Sequence, residues 1–397
     1  MNSTATCLKS RIEEAELQSV FQPIATATGL PNKTYTDQVL FEFERDNILA
    51  KTWVAVAFID EFSQGDIRPQ SFMGVPIVIT RSKEGAINVF HNVCSHRGMQ
   101  LVDKPTNSNG LIVCPYHSWT YNVEGDLVAT PHIGGIGVHT HPDVCNKERG
   151  LKEIRSHSWM GILFINLSGE APAFEVDARD AIERANAFMG DSGEAMLRAP
   201  KEVSDNMSIT LQANWKFAIE NYLEAYHLPS IHPGLNSYSP LSEHAPLVHG
   251  EKLAGQVTST FDPQFGDGKS LPMFPDWDEL EISTGDYPAL YPNLLLGFQA
   301  NHVFAMIIHP ETPITTREEV KIFYCGDAAT DADLADLREV TGVNWMEVFD
   351  EDIDPCERMQ LGRSSPGYSG GAFSPTLDIC SHHFHKWVAN QYLAFYS

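Results

Sequence analysis

Apolar positions along this chain change their spacing several times, and each change marks a different kind of element. Over Ser10 to Val20 they fall at helical intervals, ahead of a Pro-containing arm. A second helical piece covers Thr36 to Arg45, with Thr36 or Asp37 as its cap. From Thr52 to about Leu167 the texture turns to short β-rich runs: WVAVAFI, VPIVITR, INVFHNV, LIVC and GILFINL. Turn chemistry such as Ser82-Lys83-Glu84-Gly85 and Glu124-Gly125-Asp126 separates them, which predicts a small antiparallel β domain.

The back half alternates helix and strand signals. DARDAIERANAFM, between Glu170 and Lys201, reads as a surface-packed helix, and Glu202–Leu211 as a strand. In NWKFAIENYLEAYHLPSIHP (Asn214–Pro233), Phe217, Ile219, Tyr222, Leu223 and Tyr226 recur at roughly helical spacing. From Ser237 to Thr284 the chain is polar, broken by Pro and Gly, and without a period, which predicts a substrate-covering or mobile loop. Leu294–Pro310 and Glu318–Cys325 alternate like strands paired around Glu311-Thr312-Pro313, and a helical pattern follows through Leu334–Val340. The expected class is α+β: a small antiparallel β domain, then a larger domain with a twisted antiparallel sheet flanked by helices. Three segments follow: a helical arm (1–45) packing on the last domain, the β domain (46–168), and the large domain (169–397).

Composition narrows the function. A net charge of −25 disfavours nucleic-acid binding, which needs a basic face. The first twenty residues lack the long apolar core of a secretory signal, and no window approaches a membrane span. Seven scattered cysteines make no disulfide framework, and their odd number points to a reducing compartment, so a cytoplasmic protein is expected.

The chemistry concentrates in two places. Cys94-Ser95-His96-Arg97-Gly98 is followed by Cys114-Pro115-Tyr116-His117. Two Cys and two His can build a structural zinc site, but there cysteines usually pair with cysteines and histidines with histidines. Here each half supplies one thiolate and one imidazole, which suits a [2Fe–2S] centre with Cys on one iron and His on the other. In the second place, Glu224 and His227 stand three apart, on one face of the predicted helix. Pro229 then forces a bend that brings His232 round. Two imidazoles across a bend, with a carboxylate from elsewhere, form the 2-His-1-carboxylate arrangement of non-haem Fe(II) oxygenases.

Together, Cys-Ser-His-Arg-Gly, Cys-Pro-Tyr-His-Ser-Trp and the Asn214–His232 stretch resemble the α subunits of Rieske non-haem iron oxygenases, from about Trp53 to Trp387. The resemblance makes 46–168 a Rieske [2Fe–2S] domain held by Cys94, His96, Cys114 and His117. It makes 169–397 a catalytic domain with mononuclear Fe(II) on His227 and His232. The block Glu351-Asp352…Cys356-Glu357 is similar to the family segment whose second residue binds iron, which implies Asp352 as third ligand. Asp354 is the alternative, disfavoured because Pro355 pushes it towards extended geometry. The resemblance further implies a homotrimer in which Glu224 bridges to a neighbour's cluster histidine, His117. It implies a separate reductase or ferredoxin that delivers NAD(P)H electrons, with O2 and a small molecule as co-substrates.

Glu at 224, where ring-hydroxylating dioxygenases typically carry Asp, and the block GRSSPGYSGGAFSP with HFHKW resemble the branch that acts on quaternary ammonium compounds such as carnitine, choline and betaines. Aromatic faces would hold such a cation, with Tyr238, Phe298, Phe304 and Trp345 as candidates. Hydroxylation or O-demethylation of an aromatic acid is the competing reading and would want Arg or Lys in the pocket. A Rieske-type electron carrier is the alternative of another class. His244, His249 and the His382–His385 group receive no ligand role.

Overall fold

The computed structural model describes residues 8–107, 109–144, 148–190, 193–200, 206–263, 270–275, 277 and 284–396. The chain divides into two compact units, Val56–Ala171 and a second built from Met1–Ala55 with Pro172–Ser397.

The smaller unit is antiparallel throughout. In chain order its strands are β1 (Val54–Phe58), β2 (Ile67–Phe72), β3 (Val75–Arg81), β4 (Ile87–His91), β5 (Leu111–Val113), β6 (Thr120–Asn122), β7 (Leu127–Ala129), β8 (Arg155–Trp159) and β9 (Ile162–Asn166). They form three small sheets, ordered β2-β3-β4, β5-β6-β7 and β1-β9-β8. The apolar runs of the sequence are β1, β3, β4, β5 and β9. The strands they leave out are polar or short: β2 carries Arg68, Pro69, Gln70 and Ser71 between its buried ends. Ile67, Val78, Phe90, Ile112, Trp119, Tyr121 and Leu127 pack into one core that also takes in Cys94 and Cys114.

The larger unit is organised by one eight-stranded antiparallel sheet. Its strands are β10 (Leu197–Arg198), β11 (Asn206–Leu211), β12 (His244–Val248), β13 (Leu253–Thr258), β14 (Gly285–Leu290), β15 (Leu294–Phe298), β16 (His302–Thr312) and β17 (Thr315–Cys325). The order is β10-β17-β16-β15-β14-β13-β12, with β11 also paired to β17. Helices of eight or more residues are α1 (Gln38–Asn47), α2 (Arg179–Met189), α3 (Trp215–Tyr222), α4 (Ala335–Glu351), α5 (Ile353–Arg363) and α6 (Ile379–Leu393). Asp37 caps α1, its carboxylate accepting from the amides of Val39 and Leu40 at 2.8 and 3.1 Å. Asn214 caps α3 through the amide of Lys216.

Four expectations need correction. Ser237–Thr284 is no uninterrupted loop: β12 and β13 lie within it as a hairpin that extends the sheet onto β14. Gly255 in β13 leaves no room for a Cβ, which would stand 2.1 Å from the Tyr287 carbonyl oxygen, so the small residue is a packing requirement. The Leu294–Pro310 run is two strands, broken at Gln299–Asn301. The histidine helix ends at Tyr222, and Pro229 opens the short helix Leu228–Ile231 instead of stopping one, because a first-turn position asks nothing of its missing N–H. For the same reason Pro355 sits in the first turn of α5, and Asp354 is helical, exposed and paired with Arg358.

α1 is tied to α3 and α6 through one buried carboxylate. Glu44 accepts from Trp215 Nε1 at 3.0 Å, Lys216 Nζ at 2.7 Å and the Tyr392 hydroxyl at 2.8 Å. On β17, residues 316, 318, 320 and 322 face the interior while Arg317 and Glu319 reach the margin.

Candidate metal centres and the pocket

In the smaller unit the two cysteine loops are built alike. The Cys94 amide donates to Met99 O and the Gly98 amide to Cys94 O, at 2.8 and 3.0 Å. Twenty residues on, the Cys114 amide donates to Trp119 O and the Ser118 amide to Cys114 O, again at 2.8 and 3.0 Å. Gly98 and Ser118 both take positive φ, 72° and 58°, which closes each loop. The repeat presents Cys94 and Cys114 in the core and brings the rings of His96 and His117 to 4.7 Å.

Two features show what this cradle fits. Nδ1 of His96 and Nδ1 of His117 are both buried without a hydrogen-bond partner, an expensive state unless a further group takes them up. Burial and neighbouring His117 hold the His96 pKa down, in the neutral form that ligates metal. The Tyr121 hydroxyl lies 3.3 Å from Cys94 Sγ and 3.0 Å from Ser95 Oγ, and accepts from the Ser95 amide. Ser95 Oγ donates to Arg149 O, so the tyrosine proton points to the sulfur or to Ser95 Oγ. Two buried thiols and two unpartnered imidazole nitrogens on one pair of loops fit a Rieske cluster.

In the larger unit, the turn after α3 and the junction of α4 with α5 meet. One ligand atom each from His227, His232 and Asp352 lies within 4.8 Å of the others. His232 Nε2 stands 2.9 Å and His227 Nε2 3.7 Å from Asp352 Oδ1. Carboxylates orient both rings from behind. Glu224 Oε1 is 2.7 Å from His227 Nδ1, and Oε2 accepts from the amides of Tyr226 and His227. Glu351 Oε2 is 2.7 Å from His232 Nδ1. With Nδ1 protonated on each ring, both Nε2 atoms are free for a metal. Burial opposes charge on His232, yet Asp352 and Glu351 raise its pKa overall, so the spot favours a positive charge. The donor set and its two supporting carboxylates fit a divalent iron. Glu351 is a site residue that sequence reading passed over; its one signal is its place beside Asp352.

A pocket of about 770 Å³, counting the open solvent at its mouth, opens on this triad. Of the aromatic candidates, Phe304 and Trp345 line it, whereas Tyr238 packs on Phe261 and Phe298 on Phe188. Tyr222, Tyr287 and Phe349 also line it, with Phe304 and Trp345 rings 4.5 Å apart and Phe349 within 5.7 Å of both. His244 lines it too, its pKa pushed down to about 4 by burial. Among the described lining residues the acidic side chains are Glu224, Glu318 and Asp352, and none is Lys or Arg. The His382–His385 group is structural: His382 meets Val20 O, and His385 accepts from the Leu30 amide.

Comparison with known proteins agrees with the two domains. Residues 195–394 match the model of the ring-hydroxylating alpha subunit catalytic domain, and residues 52–142 that of the Rieske [2Fe-2S] domain. The chain is 27% identical to the carnitine monooxygenase oxygenase subunit of Escherichia coli, over 91% of this chain and 93% of that one. It is 27% identical to the glycine betaine monooxygenase oxygenase subunit of Pseudomonas aeruginosa, over 92% and 89%. In fold it is similar to a quaternary ammonium Rieske monooxygenase, with a TM-score of 0.75 at 22% identity over 96% of this chain and 99% of that one. Naphthalene 1,2-dioxygenase from Rhodococcus gives 0.72 at 19%, over 96% and 98%.

Proposed function

Since the chain belongs to the family of ring-hydroxylating alpha subunits and carries a Rieske [2Fe–2S] domain, we propose that this oxygenase attacks a C–H bond beside the nitrogen of a quaternary ammonium compound. Hydroxylation there gives a carbinolamine that falls apart to an aldehyde and an amine. The observation that carries this substrate class is the pocket itself: aromatic walls, and three acidic residues with no Lys or Arg among the described lining. An aromatic acid would bring a carboxylate into a pocket whose described lining residues include no Lys or Arg to receive it.

Cys94, His96, Cys114 and His117 hold the cluster, and His227, His232 and Asp352 hold the iron. When bound, the cluster delivers electrons singly and the iron activates O2. The protein's part is positional. Glu224 and Glu351 keep the Nδ1 protons on His227 and His232, and the apolar walls of Leu228, Leu295, Phe304 and Phe349 keep water from the site. Glu224 also carries electrons in from His117 of the partner subunit in a homotrimer, supplied by a separate NAD(P)H-dependent reductase or ferredoxin. Free Cys325, Cys356 and Cys380 support a cytoplasmic setting, and no helix among the described residues is long and apolar enough to cross a membrane.

The test is NAD(P)H-driven turnover by the iron-loaded protein with a reductase, across methylated ammonium compounds and aromatic acids. Aldehyde released in step with an amine is the expected result. Hydroxylated product from an aromatic alone would keep the oxygenase and overturn the substrate class.

A further inference from the structure

Glu318 sits where a sheet of this kind places an apolar side chain. It is an inward position of β17, a strand paired on both sides, directly opposite Ile209 of β11 on one side and Ile308 of β16 on the other. Residues opposite one another across a ladder point to the same face, so the carboxylate emerges between two buried isoleucines. It is 6% exposed and lines the pocket. Glu224 and Asp352, the pocket's other acids, are taken up by His227 and His232. No cation or hydrogen-bond donor among the described residues takes up Glu318; burial and the Asp352 charge push its pKa up to about 8. A buried carboxylate without a partner is costly to ionise, and a cation brought by a ligand offsets that cost.

The remaining walls suit the same ligand. Phe304, Trp345 and Phe349 form one mutually packed aromatic cluster on the pocket. Aromatic faces attract a methylated ammonium without hydrogen bonds, which such a cation cannot make. His244 lines the pocket, and its Nδ1 is buried without a partner, a polar atom the ligand's other end can meet.

We propose that Glu318, with the Phe304–Trp345–Phe349 cluster, forms the subsite for the substrate's cationic head and is the residue that makes this pocket select a charged ammonium over a neutral molecule of the same shape. This rests on the substrate class given above and adds the group that decides it. The role is one of binding, and it is separate from holding the iron.

The test measures binding to the holoprotein by calorimetry, with two probes. One is choline; the other is its carbon isostere, in which tert-butyl replaces trimethylammonium. The native protein is expected to prefer choline by about tenfold or more. Glu318→Gln should lose that preference and bind the isostere unchanged, with the visible cluster spectrum intact. A Gln variant that keeps the preference overturns Glu318 as counter-charge and leaves the substrate class standing. A native protein without the preference overturns both. If the Gln variant fails to retain its cluster, Glu318→Asp decides: withdrawing the carboxylate by one methylene should weaken choline alone, and an unaltered preference overturns the proposal.

Discussion

His232 Nε2 lies 2.9 Å from Asp352 Oδ1, although 120 positions separate them in the chain. Asp352 stands at the junction of α4 and α5, where two helices built on unrelated stretches deliver it to the turn after α3. Asp352→Ala should therefore lower the iron content from about three to about two atoms per chain, leave the cluster spectrum unchanged and abolish turnover. Iron analysis beside the visible spectrum checks this, and full activity in the variant would exclude Asp352 as a ligand.

Glu224 touches His227 within its own chain, which makes the two halves of its proposed role separable. Glu224→Gln should retain both metals and slow reoxidation of the reduced cluster in a single turnover by about tenfold or more. Stopped-flow absorbance reads the rate; an unchanged rate would remove the carboxylate from the electron route.

The Tyr121 hydroxyl beside Cys94 Sγ can donate to a cluster sulfur. Burial, followed by the Cys94 contact, raises its pKa to about 12, so it stays protonated across the working range. A donor to sulfur stabilises the more negative, reduced cluster. Tyr121→Phe should therefore move the potential in the negative direction, as measured by redox titration of the holoprotein.

His302 predicts how stability responds to acid. Its Nε2 accepts from Trp345 Nε1 at 2.8 Å and its Nδ1 lies 2.7 Å from Asn301 Oδ1, so both nitrogens serve the neutral ring. Burial pushes its pKa down to about 3. In the unfolded chain the same ring takes up a proton near pH 6.5, so the unfolded state binds more protons between those values. Its contribution to stability is complete above about pH 6.5 and is lost as the pH falls towards 3. Urea midpoints at neutral and mildly acidic pH should diverge less in His302→Gln than in the native protein.

Glu44 offers the largest expected loss of stability. Its carboxylate is fully buried and is the ion-pair partner of equally buried Lys216. Burial lowers the Lys216 pKa, with Glu44 opposing that shift. Glu44→Gln leaves an ammonium in the core without its countercharge and should cost about 3–5 kcal/mol, read from the denaturant midpoint.

The Rieske site was legible in the sequence because it is local. Cys94 to His117 spans one hairpin's length, and each loop is closed by its own backbone bonds, so ligand identity and spacing already carry the geometry. His227 and His232 are local in the same way, although the turn that holds them had to be seen: a proline can open a helix as well as end one. Beyond that range, side-chain pattern stops being informative. The stretch Thr315 to Ile322 shows three charged residues in a row, Arg317, Glu318 and Glu319, and its strand pattern does not say which of them is buried. Only pairing with β11 and β16 turns Glu318 inward between Ile209 and Ile308. The β12–β13 hairpin was invisible for a related reason, since its residues gain their strand character from β14. Chemistry written into neighbouring residues was determined by the sequence itself. The surroundings of Asp352, the aromatic cluster and the buried acid were decided by tertiary packing, because which face of a strand or helix is buried depends on what the rest of the chain lays against it.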